Sequence, residues 1–158
     1  MERINKILSS PQFIRAINET KKAEQGRIYC LHGLEHAADT ARISYILSLE
    51  EGTELKKDII YAAALLHDTG RFRQYADGTP HQKASVEIAA EILPQCGFYD
   101  NEISEILSAI DTHRHGETKN KLGKILQKAD NLSRLCFDCS ARSTCKWKEN
   151  EMNMGLEY

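Results

Sequence analysis

The stretch IIYAAALLHDTGRF, residues 59–72, limits the fold more than any other part of the chain. Its first eight residues, Ile59 to Leu66, form the longest apolar run in the sequence. Eight residues are far too few to cross a bilayer. The run reads as a helix with almost no polar face, buried on nearly every side. It then leads, with no spacer, into two titratable side chains, His67 and Asp68. Burying such groups without partners costs a few kcal/mol each. The run therefore demands that other elements meet it at that end.

Helical signals fill the rest of the chain, and no strand-length alternation or internal repeat stands out. Ser10 with Pro11 predicts a helix start, running to about Gln25. A second helix is expected from Leu34 to Glu50, ending at Gly52. Thr53 is a candidate cap for a third over Glu54–His67. Thr79 and Pro80 open a fourth, stopped near Leu93 by Pro94 and Gly97. Asp100 can cap a fifth to about His113, and a sixth spans about Asn120 to Phe137. The expectation is an all-α fold, a compact single-domain bundle of about six helices. Residues 1–137 would form the helical domain, and 138–158 an irregular cysteine-containing tail packed on it. The 158 residues suffice for one domain with a real core.

Several function classes drop out. The net charge of −2 gives no general electrostatic case for nucleic acid or an anionic membrane as partner. The nearest glycine pairs, Gly26/Gly33 and Gly116/Gly123, are seven residues apart, which excludes a dinucleotide-binding turn and a P-loop. HGLEH, residues 32–36, has the histidine spacing of a zinc protease, but Gly33 stands where glutamate is needed. The N-terminus lacks an apolar core and cleavage site for export, so a cytoplasmic protein is expected. An odd count of five cysteines argues against a disulfide framework.

Polar residues instead sit on apolar helical stripes. His36, Thr40, Ile43 and Leu47 share one face; so do Ile60, Ala63, Ala64 and His67, and likewise His81, Ser85, Ile88 and Ile92. One buried imidazole is easily satisfied by a hydrogen bond. Three on three helices, with an HD pair, point to a shared metal ion, which uses neutral imidazole nitrogens and carboxylate oxygens directly. Asp130 lies at the edge of the stripe of Leu122, Ile125, Leu126 and Ala129. On the fifth helix His113 falls at the stripe border, a candidate ligand for a second metal. Arg114 falls nearer its centre, a candidate phosphate contact, and His115 points roughly away. Arg71, Arg73 and Lys83 are further arginine and lysine candidates for phosphate. His67 and Asp68 are about 100° apart on a helix, so both reach one ion only if the helix ends there. Thr69 and Gly70 suit such an ending, with the glycine expected in a left-handed turn.

The order His36 … His67-Asp68 … Asp130 resembles the H…HD…D pattern of the HD-domain metal-dependent phosphohydrolase superfamily. The contexts GLEHAADTARISYIL, DIIYAAALLHDTGRF, HQKASVEIAAEIL and KILQKADNLSRL carry the likeness over about residues 25–137. It implies an all-helical fold with one metal held by His36, His67, Asp68 and Asp130, and hydrolysis of phosphate esters, often in nucleotides. By analogy with two-metal members, His81 and His113 would hold a second ion, with Asp68 bridging. His67 and Asp68 would be the catalytic pair. The chain departs from the HD-GYP branch, since His113 is followed by Arg114 and no DGxGYP stretch follows.

Such a site suits the chemistry. A divalent ion withdraws charge from phosphoryl oxygens and lowers the pKa of bound water to about 7. Mixed nitrogen and oxygen ligands favour manganese, iron, cobalt, nickel or zinc over calcium. The expected substrate is a small phosphate mono- or diester, nucleotide-like. Two alternatives share these residues: an HD-fold di-iron oxygenase, and a metal-stabilised sensor or interaction module without turnover. Finally, Cys136, Cys139 and Cys145 have C-x2-C-x5-C spacing. With Cys30 they are candidates for a structural zinc or iron–sulfur cluster.

Overall fold

In this computed structural model the chain is described over residues 1–114 and 120–158. Among the described residues there are eight α-helices and no strands. They are α1 (Glu2–Ser9), α2 (Pro11–Ala23), α3 (Leu34–Glu50), α4 (Lys57–Leu66), α5 (Arg71–Asp77), α6 (His81–Gln95), α7 (Asp100–Thr112) and α8 (Lys121–Leu132). Three 3-10 turns follow, at Cys136–Asp138, Arg142–Thr144 and Glu149–Glu151. No helix among the described residues is long and apolar enough to cross a membrane.

The apolar run forms the centre, as its composition requires. α4 packs against α1, α3, α6, α7 and α8. Ile59, Ile60 and every residue from Ala62 to Leu66 are buried. Alanines at 62, 63 and 64, all fully buried, let neighbouring backbones come close. Around α4 the core gathers Ile4 and Ile7 of α1, Phe13 of α2, Ile92 and Leu93 of α6, Ile106 and Ile110 of α7, and Leu122 and Leu126 of α8. A second seam joins Ile43 and Leu47 of α3 to Ile125 and Ala129 of α8, with Tyr158 packed over it.

All six expected helices are present, Leu34–Glu50 with the bounds expected and the others with shifted ends, and two short ones join them. α1 and α5, of eight and seven residues, give too little periodicity to stand out in a sequence. Ser10 caps α2 as expected, its Oγ accepting the Phe13 N–H at 3.3 Å. Asn120 caps α8 through Leu122 and Gly123. Thr53 does not cap α4, which begins at Lys57; its hydroxyl bonds to that of Ser48. Pro94 does not end α6 at Leu93, since the helix carries it in its last turn. α8 stops at Leu132, five residues short of Phe137, and the remainder enters a 3-10 turn.

The turn after α4 corrects a further expectation. Gly70 has φ −87°, so it is not left-handed. The glycine is needed for space: a Cβ there would lie 2.4 Å from the His81 carbonyl oxygen and 2.6 Å from Ala84 Cβ. Its N–H donates to Ser85 Oγ at 2.8 Å, which locks the turn against α6.

The segment after Arg134 is irregular and folded onto the helices. Asn153 donates to the carbonyls of Leu132 and Arg134 at 2.8 and 2.9 Å. The Tyr158 hydroxyl donates to Glu50 at 2.8 Å. Trp147 stacks on the Arg134 guanidinium, 5.0 Å from ring centroid to carbon.

Candidate metal centre

Five helix ends converge beneath one opening. α3 offers His36 from its first turn, α4 ends on His67 and Asp68, α6 begins with His81, His113 caps α7, and Asp130 lies in the last turn of α8. One ligand atom each from His36, His67, Asp68 and Asp130 lie within 4.8 Å of one another. So do atoms from Asp68, His81 and His113. His36 Nε2 is 3.1 Å from Asp130 Oδ1 and 3.6 Å from Asp68 Oδ2. His67 Nε2 is 3.3 Å from Asp68 Oδ2. On the other side, His81 Nε2 is 3.3 Å from Asp68 Oδ1 and 3.4 Å from His113 Nε2.

All four imidazoles are oriented in the same way. His67 Nδ1–H donates to the Ala64 carbonyl and His113 Nδ1–H to that of Ile110, each at 2.6 Å. His81 Nδ1–H donates to Gln74 Oε1 at 2.9 Å. His36 Nδ1–H donates at 3.2 Å to Ser133 Oγ, whose own proton goes to the Asp130 carbonyl at 2.8 Å. Each ring thereby points Nε2 inward, and its neutral form offers there the lone pair a metal requires.

His36 Nε2, His67 Nε2 and Asp68 Oδ2 are buried and have no hydrogen-bond partner among the described residues. Buried polar atoms are normally paired. Three orphans converging in this way could hold a cation, and their chemistry fits a divalent transition metal.

Burial works against a charged His67, but the Asp68 charge and the nearby Asp130 carboxylate prevail and push it up to about 10, so without an ion this ring carries a proton that a bound cation would displace. Burial raises Asp68 and Asp130 too, yet His67 and Arg71 hold Asp68 far below the usual carboxylate range, and Arg134 and His36 do the same for Asp130. The two carboxylates thus call for positive charge at this point. His81 is lowered to about 2 and His113 to about 4, mainly by burial, so both stay neutral and can donate to a metal.

The other candidates separate. Arg71, buried, donates to Asp68 Oδ1 at 2.9 Å. Arg71 and Arg114 line the cleft of about 770 Å³ over the cluster. Lys83 does not line it; it is exposed and pairs with Asp111 at 2.7 Å. Arg73 pairs with Glu87 on the surface. His115 lies outside the described residues. Cys30, Cys136, Cys139 and Cys145 are free thiols, and no metal-capable group among the described residues contains a cysteine. The C-x2-C spacing comes instead from a 3-10 turn with Cys136 at its start and Cys139 just past its end. Cys30, Cys136 and Cys145 line the cleft, while Cys139 does not.

Sequence reasoning missed the supporting residues. Arg134 donates to Asp130 Oδ1 at 2.8 Å, and Gln74 and Ser133 orient imidazoles. His32, four residues before His36, is buried, and both its backbone N–H and its ring Nδ1 bond the buried Glu24. The Tyr75 hydroxyl joins the same carboxylate at 2.8 Å. Only a helical offset of four between Arg134 and Asp130 was visible in the sequence.

Helix ends that gather imidazoles and carboxylates closely enough to hold a cation define an all-helical class of candidate metal site. Residues 33–135 match the HD domain family, and the chain belongs to it. It is 39% identical to an uncharacterized protein of Clostridium beijerinckii over the full length of both chains. It is 33% identical to a Bacillus subtilis protein named "Putative phosphohydrolase YueE", over 63% of this chain and 65% of that one. A crystal structure at 1.45 Å, of a protein from an uncultured Thermotogales bacterium described as a predicted HD superfamily hydrolase, superposes with a TM-score of 0.64. That match is at 26% identity and covers 91% of this chain and 83% of the other.

Proposed function

We propose that the chain is a metal-dependent phosphohydrolase that cleaves phosphate mono- or diesters of nucleotide-like substrates. The observation that carries this reading is that Asp68 belongs to both ligand groups. His36, His67, Asp68 and Asp130 would hold one ion, and His81 and His113 a second that Asp68 shares. When bound, divalent ions supply charge withdrawal from the phosphoryl oxygens and a water acidic enough to attack near neutral pH. Arg71 fixes the bridging carboxylate through Oδ1. Arg114, exposed at the cleft, would take a substrate phosphate. The names of the Bacillus and Thermotogales relatives, a phosphohydrolase and a hydrolase, support the same class.

Elemental analysis of the purified protein tests the first half, with stoichiometric transition metal expected. A panel of nucleoside mono-, di- and triphosphates and cyclic diesters, with added manganese or cobalt, tests the second, with phosphate or monoester release expected. The converging second ligand group is also what an HD-fold di-iron oxygenase needs. Stoichiometric iron, oxygen uptake and no ester cleavage would replace the hydrolase with that reading.

A further inference from the structure

The ligands and the walls of the cleft come from different parts of the chain. Every ligand lies within residues 33–135, the span of the family match. Two walls lie outside it: the loop with Arg27 and Tyr29 before α3, and the C-terminal segment with Thr144, Lys146 and Trp147. These two segments are joined, because the Tyr29 hydroxyl donates to the Thr144 carbonyl at 3.2 Å.

The cleft's charge is one-sided. Five cationic side chains line it (Arg27, Arg71, Arg114, Arg134 and Lys146) against two carboxylates, Asp130 and Glu151. Arg71 and Arg134 are already spent on the ligands Asp68 and Asp130. Among the described residues no ion pair involves Arg27, Arg114 or Lys146. In a chain of net charge −2, this is a local concentration of positive charge that no ion pair among the described residues neutralises, and bound metal would add to it. A simple monoester dianion, held at the metals and Arg114, leaves Arg27 and Lys146 with Glu151 as the one remaining carboxylate among the described lining residues. A cleft of about 770 Å³ also has the size of a site for an organic ligand of nucleotide dimensions.

We infer that Arg27 and Lys146 form a second anion subsite, so that the preferred substrate is an organic phosphate bearing another phosphate away from the one cleaved. This rests on the phosphohydrolase reading for the metal end only. Arg27 stands where the Tyr29–Thr144 bond closes the wall, with its guanidinium 5.7 Å from the Tyr29 ring and its Nε held by the Cys30 carbonyl at 3.0 Å. Lys146 follows Thr144 by two residues on the opposite segment. Both are exposed, so their replacement leaves the core intact.

The sequence contains one tryptophan, Trp147, and it lines this cleft. Its fluorescence therefore reports binding without turnover. Metal-loaded protein is titrated with adenosine 5′-monophosphate and adenosine 3′,5′-bisphosphate, and steady-state hydrolysis of both is measured. The bisphosphate is expected to bind at least about tenfold tighter, with a steeper salt dependence. In Arg27→Ala/Lys146→Ala that advantage falls by about tenfold, as a rise in KM with little change in kcat, and Arg27→Lys/Lys146→Arg restores it. Equal binding of the two nucleotides by the parent protein, or an advantage that survives in the double alanine variant, overturns the subsite. Tight bisphosphate binding with no phosphate release would leave the subsite standing and remove the phosphohydrolase reading instead.

Discussion

The two ends of α4 solve the same problem in opposite ways. At its N-terminal end Glu102, 3% exposed, is met by Arg3, by Lys56 at 3.1 Å and by the Tyr99 N–H at 3.1 Å. Arg3 also reaches Asp58 and lies 4.1 Å over the Phe98 ring. There the protein supplies its own counter-charges, and Arg3 ties α1 to α4 and α7. At the C-terminal end Arg71 and Arg134 each meet one oxygen of Asp68 and Asp130, but His36 Nε2, His67 Nε2 and Asp68 Oδ2 have no hydrogen-bond partner among the described residues. A buried polar cluster completed from within is architecture. One left open at converging lone pairs is a receptor for something from outside, and stability is held back there for function.

The strongest way to break this contrast is Asp68→Ala. We expect loss of bound metal, a fall in hydrolysis of about 10³-fold or more, and a largely unchanged helical circular-dichroism signal. Turnover at the parent rate would show that the open cluster is not the site. Gly70→Ala should come next. Its new Cβ meets backbone atoms of α6, so a destabilisation of about 2–3 kcal/mol is expected in urea melts, together with weakened metal binding through His81. Ser133→Ala removes the acceptor that orients His36, together with that hydroxyl's bonds to Thr40 and the Asp130 carbonyl, and should weaken metal affinity by about 10-fold while lowering the thermal midpoint of the metal-free protein only slightly.

At the self-contained end, Arg3→Met should cost about 2 kcal/mol of stability and leave metal stoichiometry at the parent value. That end also carries a pH signature. Arg3's hydrogen bond, against the opposing effect of burial, holds Glu102 down to about 2, below its ordinary 4.5. Its contribution is therefore fully present above pH 4.5 and lost as pH falls from there towards 2. Acid titration of the unfolding midpoint should show a shallower decline over this window in Arg3→Met. The smallest effect belongs to Lys83→Ala: stability within about 0.5 kcal/mol of the parent, because Lys83 is exposed and pairs with Asp111 at the protein's edge.

Much of this was legible from the chain because it depended on periodicity. Ile59–Leu66 had to be the central helix, and His36, His67 and His81 fell on buried faces because the helical repeat put them there. What sequence could not give was the contact between helices. Gln74 reaches His81 from α5, too short a helix to announce itself. Glu24 meets His32 only because the loop after α2 folds back. Gly70 was read as a left-handed turn because that is the common use of glycine after a helix, whereas its real constraint is the backbone of α6. C-x2-C spacing likewise shows proximity along the chain and says nothing of the direction each thiol faces.

The way the four imidazoles are held has a consequence for how such a protein can drift. His67 and His113 are braced by the carbonyls of Ala64 and Ile110, which belong to the main chain and survive any side-chain replacement. His36 and His81 lean on Ser133 and Gln74, which a single codon change can remove or swap. The bracing of two rings is therefore beyond the reach of side-chain replacement, while that of the other two can be rewritten by it.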